Sequence, residues 1–293
     1  MNNSPRANFV LMDGGLRPDA IKQLYQRGEP LEVIPLYIGT RWQALQDSGP
    51  LLIALQGSSG LINDIRQSAF EQADASLLYS RASMHAIAEH LRRFIAPSDV
   101  LGGDGLLRFA DPLVTRAWLG SYQREHLDAV LGPIEAWYIP EIHHSWEPAQ
   151  PFEWLSVLRA AAPPEWVNAY AQLGEAQLAA LDQAARWRFM ERVNRRLEQN
   201  HPTLMATLDS RTRTQWFAQR LDEAETWGLS SERSLTIWTE YSLRWGPGFT
   251  LRPNTPYQQW LAGTPGSLKR APELRIQQMD NDCLAIEINE DMQ

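Results

Sequence analysis

Residues 105–112 read GLLRFADP, which places Arg108 and Asp111 three apart, with Pro112 directly after the acid. A second acid, Asp13, closes the apolar run Phe9 to Met12 and is followed by Gly14 and Gly15. Two carboxylates meeting at the ends of strands could hold Mg²⁺ for metal-assisted hydrolysis, with Arg108 orienting an anionic substrate. Asp111 also has a complete architectural explanation. Aspartate at an N-cap, followed by proline at the first helical position, is a standard helix start, and its side chain satisfies an orphan backbone N–H worth about 1 kcal/mol. In that reading Arg108 braces the Asp111 carboxylate. Asp13 is followed by two glycines and not by a second ligand, so architecture outweighs catalysis at both acids.

Other reactive patterns are incomplete. Gly57-Ser58-Ser59-Gly60 follows one apolar run and precedes another, as an anion-binding turn would, but no Lys-Ser/Thr pair completes a phosphate loop. No serine has nucleophile-elbow spacing. The six histidines (His85, His90, His126, His143, His144 and His201) form no zinc-ligand pattern. His143 and His144 are adjacent in a proline-rich stretch, so their side chains diverge and both are expected as surface or linker histidines. His90 falls off the apolar face of its helix and is expected at the rim or in solvent. Cys283 is the one cysteine, which excludes an intramolecular disulfide and a thiolate metal cage. No cofactor or metal is expected.

The elements that position these residues can be read from spacing. Phe9 to Met12, Leu51 to Leu55, Ala75 to Tyr79, Leu106 to Phe109 and Ile134 to Ile139 are expected strands. The run Leu51 to Leu55 does not alternate and is expected to be buried on both faces. Helices are expected from Pro18 to about Arg27, over Leu61 to Ala73, and after Ser83, whose apolar face is Met84, Ile87, Ala88, Leu91 and Ile95. Gly102 to Gly105, with Asp104, reads as a turn. Strand–helix alternation implies an α/β or α+β lobe with a small mixed or partly parallel sheet flanked by helices. Pro148, Pro151, Pro163 and Pro164 then interrupt the pattern, and beyond them only helices are expected. Leu178, Leu181, Ala185, Phe189, Val193 and Leu197 stripe one long helix ending at His201-Pro202. Thr214 to Trp227 is closed by Gly228, and a further helix runs from Ser231 to Trp245. The expected organisation is an α/β lobe over 1–142, a proline-rich linker over 143–165, an all-helical lobe over 166–272 and an acidic tail over 273–293.

The formal charge is −8 over 293 residues, which argues against nucleic acid as a partner. Six acids and one base follow residue 272, so the tail carries most of that charge and is expected as a solvated end. No apolar run can cross a bilayer, and Phe9 to Met12 is too short for a signal sequence, so a cytoplasmic protein without a membrane partner is expected. Nine of the twelve tryptophans follow residue 142. They either fill a helical core or face outward as partner anchors, with Trp238, Trp245 and Phe249 the candidates for anchors.

Seven fragments carry a resemblance when taken in order. They are LMDGG ending at Gly15, YIGT spanning Gly39, GPLLI beginning at Gly49-Pro50, Tyr79-Ser80, HLR from His90 to Arg92, LRFADP from Leu107 to Pro112, and LGP with Gly132 and Pro133. The set spans roughly residues 8 to 140 and resembles the effector-adaptor chaperones of bacterial type VI secretion. Ala110 and Gly15 depart from the residues common there, and the later match is confined to helical character and the WGPGF segment ending at Phe249. The resemblance implies a non-enzymatic protein. Its partners would be one cognate secreted effector, held through its N-terminal region, the VgrG spike onto which the effector is loaded, and in some cases a co-chaperone. The grip would lie in a cleft between lobes or on exposed aromatic residues of the second. The alternatives from other classes are the hydrolase using Asp13 and Asp111, and an immunity protein that binds a toxin domain.

Overall fold

The computed structural model describes residues 5–55, 60–69, 73–100, 102–103 and 105–291, with side chains to residue 286. Gly57 to Ser59 and Asp104, named above for their turn chemistry, lie outside the described residues. Two compact units are present. One comprises the described residues to His143 together with Gln150–Ala185; the other comprises His144–Ala149 and the described residues from Arg186 onward.

In the first unit the elements run β1 (Phe9–Asp13), α1 (Ala20–Gln26), β2 (Leu31–Pro35), β3 (Pro50–Leu55), α2 (Gly60–Ser68), β4 (Ala75–Tyr79), α3 (Met84–Arg92), α4 (Pro112–Gly120), α5 (Arg124–Leu131), β5 (Ala136–Pro140) and β6 (Trp154–Leu158). The strands form one sheet in the order β2-β3-β1-β4-β5-β6. Every neighbouring pair is antiparallel. This corrects the expected partly parallel sheet. The helical crossovers do join co-directional strands, β1 to β2 through α1 and β3 to β4 through α2. Each pair, however, has an antiparallel strand inserted between its members.

Both faces of the sheet are covered, which is why its strands do not alternate. Phe9, Leu11, Leu52, Leu78, Trp137 and Ile139 face α3, α4 and α5 and pack with Ile87, Leu91, Trp118 and Leu131. Val10, Met12, Leu51, Ile53 and Leu77 face α1 and α2 and pack with Leu24, Leu61 and Ile65. β1, at the centre, is buried along its whole length. At about 25 cal/mol per Å² of apolar surface, these two layers supply the main force holding the unit together.

Two expectations fail here. Leu106 to Phe109 is not a strand. It is an extended stretch whose Leu107 N–H donates to the Ile95 carbonyl at 3.0 Å. Leu107 and Phe109 point inward, so apolar spacing without a ladder produced the strand pattern. The segment 143–165 is not merely a linker, because it contains β6. The four prolines bracket that strand and leave Trp154-Leu155-Ser156-Val157-Leu158 able to pair with β5.

The second unit is helical, as expected. α6 (Glu175–Asn200) begins in the first unit and continues here. It is followed by α7 (Pro202–Met205), α8 (Arg213–Trp227), α9 (Glu232–Trp245), α10 (Pro256–Gly263) and α11 (Pro272–Asp291). Gly228, at φ 102°, ends α8, and the Ser231 side chain caps α9 by accepting from the Ser234 N–H. The acidic segment is not a solvated end. It is α11, and Ile276 and Met279 on it are fully buried in the unit's core. Glu273 in its first turn accepts the N–H groups of Ser230 and Ser231 at 2.6 and 2.8 Å, and the hydroxyls of Ser231 and Ser234. An acid counted as tail charge thus closes the N-terminus of α9. Among the described residues, no helix is long and apolar enough to cross a membrane.

Candidate functional site

Asp13 ends β1 opposite Pro50, the first residue of β3. Its Oδ1 accepts the N–H groups of Gly15 and Leu16 at 2.8 and 3.0 Å, which holds the chain in a tight turn. The same oxygen accepts Arg108 Nη2 at 2.7 Å, and Oδ2 accepts Arg108 Nε at 3.3 Å. Arg108 therefore hydrogen-bonds Asp13, ninety-five residues away in sequence, while Asp111, the acid it was expected to brace, adds a weaker electrostatic attraction. Asp13 is buried, while the Arg108 side chain is 46% exposed. Burial opposes the Arg108 charge; the hydrogen bond and attraction from Asp13 outweigh it and raise its pKa. Burial likewise pushes the nearby Tyr37 phenol up, with Asp13 adding to the shift and Arg108 opposing it.

The glycines beside this ion pair allow close backbone approach. A Cβ on Gly14 would lie 2.7 Å from the Gly49 carbonyl oxygen, and one on Gly49 would lie 2.5 Å from the Tyr37 ring. The Gly14 N–H donates to that carbonyl at 3.1 Å. Gly39 sits in the turn after Tyr37, at φ 77°. Leu36, fully buried, is pinned at both ends: its N–H donates to the Pro50 carbonyl at 2.9 Å, and its carbonyl accepts Arg92 Nε at 3.1 Å. Arg92 also pairs with Glu89 one turn back.

Asp111 caps α4 as expected. Its Oδ1 accepts the Leu113 N–H at 3.1 Å, and Pro112 occupies the first turn. The hydroxyl of Thr115 returns to the Phe109 and Asp111 carbonyls. Asp13 and Asp111 thus serve two different backbone turns. Among the described residues, no group of three His, Cys, Asp or Glu side chains is arranged to hold a metal ion.

His90 corrects the expectation of a solvent-facing ring, because it is 5% exposed. The apolar face of α3 meets the sheet, and a second face is buried separately by α5 and Trp166. His90 Nε2 donates to the Val130 carbonyl at 2.8 Å. Its ring meets Phe94 and Trp166 edge-on, with centroids 5.4 and 5.5 Å away. Burial drives its pKa down to about 4, against the hydrogen bond to Val130 and with repulsion from Arg93. It is therefore neutral at pH 7. Gly132 follows at φ 53°, and a Cβ there would lie 2.3 Å from the His90 ring. Only glycine satisfies both constraints. The Gly132 carbonyl accepts Arg159, and the Pro133 carbonyl accepts the Ser80 hydroxyl at 2.7 Å.

In the second unit, Trp238 and Phe249 are buried against each other at 4.9 Å, and Trp245 packs 5.7 Å from Phe249. Trp227, Tyr241 and Tyr257 complete the cluster. Trp238 and Phe249 are therefore core residues and not outward anchors, since the large rings on these helices pack into one aromatic core. A similar device corrects the expectation of a surface or linker histidine at His144, which is 5% exposed. Its ring lies between Trp146 and Trp187 at 4.1 and 4.3 Å, near-parallel to both, and its Nδ1 bonds Glu191 at 2.7 Å. A histidine two residues before a tryptophan was the available signal. Sequence reasoning missed Asp128, which accepts the Ala160 and Ala161 N–H groups and anchors the chain after β6.

Residues 8–129 match the family model described as a domain of unknown function, DUF4123. No curated protein and no solved structure matches the chain.

Proposed function

We propose that this chain is a type VI secretion adaptor: a non-enzymatic protein of the producing cell's cytoplasm. It would bind one cognate effector through the effector's N-terminal region and assist its loading onto the VgrG spike. The observation that carries the reading is the coincidence of the family match over 8–129 with the ordered fragments LMDGG, HLR and LRFADP. Their charged and polar members are occupied in fixing backbone. Asp13 holds a turn and an arginine, Asp111 caps a helix, His90 is a buried neutral donor, and Arg92 ties α3 to Leu36. An acid already accepting four hydrogen bonds is a poor ligand for a catalytic cation, because bonds would have to be exchanged for coordination. That argues for a binding scaffold over the metal-assisted hydrolase. The test is co-purification of the chain with the effector encoded beside it and with VgrG, together with effector delivery from a strain lacking the chain. Capture of the effector and loss of its delivery are expected. If neither partner co-purifies and delivery is unchanged, the proposal fails.

A further inference from the structure

We infer that β6 is a homodimerisation edge, at which two copies of this chain pair antiparallel through residues 153–159 and join their sheets into one. This goes beyond the adaptor reading and does not depend on it. Among the described residues β6 is the last strand of the sheet, paired with β5 on one side only. The Glu141 N–H donates to the Glu153 carbonyl and the Arg159 N–H to the Glu135 carbonyl, both at 3.0 Å. In an antiparallel ladder the pointing alternates, so the odd-numbered residues of β6 are turned to β5. The N–H and C=O groups of Trp154, Ser156 and Leu158 are turned outward. Edge strands are usually blunted by charge or proline. The opposite edge, β2, carries Glu32 and Pro35, whereas Trp154 to Leu158 contains neither device. Instead it exposes Leu155 at 43% and Leu158 at 50%.

A second copy fits this edge because the segment is self-complementary about Ser156. In the two-fold register Ser156 meets its own counterpart, Trp154 faces Leu158 of the other copy, and Leu155 faces Val157. At both ends Glu153 falls opposite Arg159, in the closely spaced, non-hydrogen-bonded positions of the ladder. Apolar residues thus meet apolar ones, and opposite charges meet twice. A register shifted by two residues loses both charge matches.

Sedimentation of the full chain over a dilution series tests this. A dimer is expected. Ser156→Pro removes one outward N–H without touching the bonds to β5 and should leave a monomer with unchanged far-ultraviolet dichroism. Glu153→Arg makes both end contacts repulsive and should weaken the dimer about tenfold. Arg159→Glu should do the same. Mixing the two charge variants should restore association. In the mixed pair the arginine introduced at position 153 of one copy faces the glutamate introduced at position 159 of the other. At the opposite end the two unaltered residues, Glu153 and Arg159, still face each other. That rescue keeps the test decisive should the proline variant fail to fold. A monomer at every concentration, or a dimer indifferent to these variants, overturns the inference. So does hydrogen-exchange protection of residues 154–158 that appears only when the effector is added, which would assign the edge to the effector.

Discussion

The buried His90 makes a stability prediction with a defined sign. Its ring is held neutral with a pKa near 4, where an exposed imidazole titrates near 6.5. The unfolded chain therefore takes up a proton that the folded chain refuses. Stability from this group is complete above pH 6.5, falls as pH drops through the window to about 4, and is level below it. The gap corresponds to about 3 kcal/mol, or on the order of a hundredfold in the opening equilibrium of the structure around α3. His90→Gln keeps a donor for the Val130 carbonyl, cannot titrate, and loses the ring contacts with Phe94 and Trp166. Amide exchange of peptides covering α3 and α5, corrected for intrinsic exchange, is the suitable assay because it reports this region alone. The variant should be less protected at pH 7.5, and its disadvantage should shrink steadily towards pH 4. Other groups of the unit, including Asp74, whose carboxyl burial raises, titrate equally in both proteins and cancel in the comparison. A difference that is constant with pH, or that grows as pH falls, would refute the claim that His90 is buried neutral.

Two further outcomes follow from the capping geometry. Asp111→Ala should lower the first unit's stability by about 1 kcal/mol, read as an earlier thermal transition, and under the proposed adaptor function should leave effector capture intact below that transition. Burial works against the charge on Glu273, but hydrogen bonds from Ser234, Ser230 and Ser231 outweigh it and hold its pKa at about 2. Its contribution is thus present above about pH 4.5 and is lost as pH falls toward 2. Glu273→Gln should melt the second unit earlier at pH 7 and flatten its acid dependence in that window, measured by exchange in α9.

Local chemistry was well written in the sequence and tertiary partnership was not. The caps at Ser83, Asp111 and Ser231, and the stop at Gly228, depend on residues one turn apart and are legible from spacing alone. The non-alternating run Leu51 to Leu55 correctly indicated burial on two faces. It said nothing of strand direction, because an antiparallel strand between two helical layers has the same composition as a parallel one. Sequence proximity pointed Arg108 to Asp111, whose charge does stabilise it, but could not show the second acid that hydrogen-bonds it. The partner chosen was Asp13, brought alongside by the fold. His90 and Glu273 were misplaced for the same reason. Each lies off its own helix's main apolar face and is claimed by a second element, respectively α5 and the start of α9.

The family-like residues have a common physical feature that bears on where recognition resides. Asp13 and Gly14 fix the turn after β1, and Pro50, whose carbonyl accepts the Leu36 N–H, fixes the entry to β3. His90 and Gly132 lock α3 to the end of α5, and Asp111 with Pro112 starts α4. All four are corners where a strand or helix changes direction, and apart from the Asp13–Arg108 ion pair their bonds are made to backbone atoms. Selectivity for one partner needs side chains that differ between proteins and are accessible. Arg108 alone among the charged corner residues meets this in part: Asp13 occupies its Nε and Nη2, and about half of the side chain faces solvent. The GLLRFADP stretch therefore builds a rigid corner, and under the proposed adaptor function partner choice would fall to exposed residues carried on the elements that these corners hold in place.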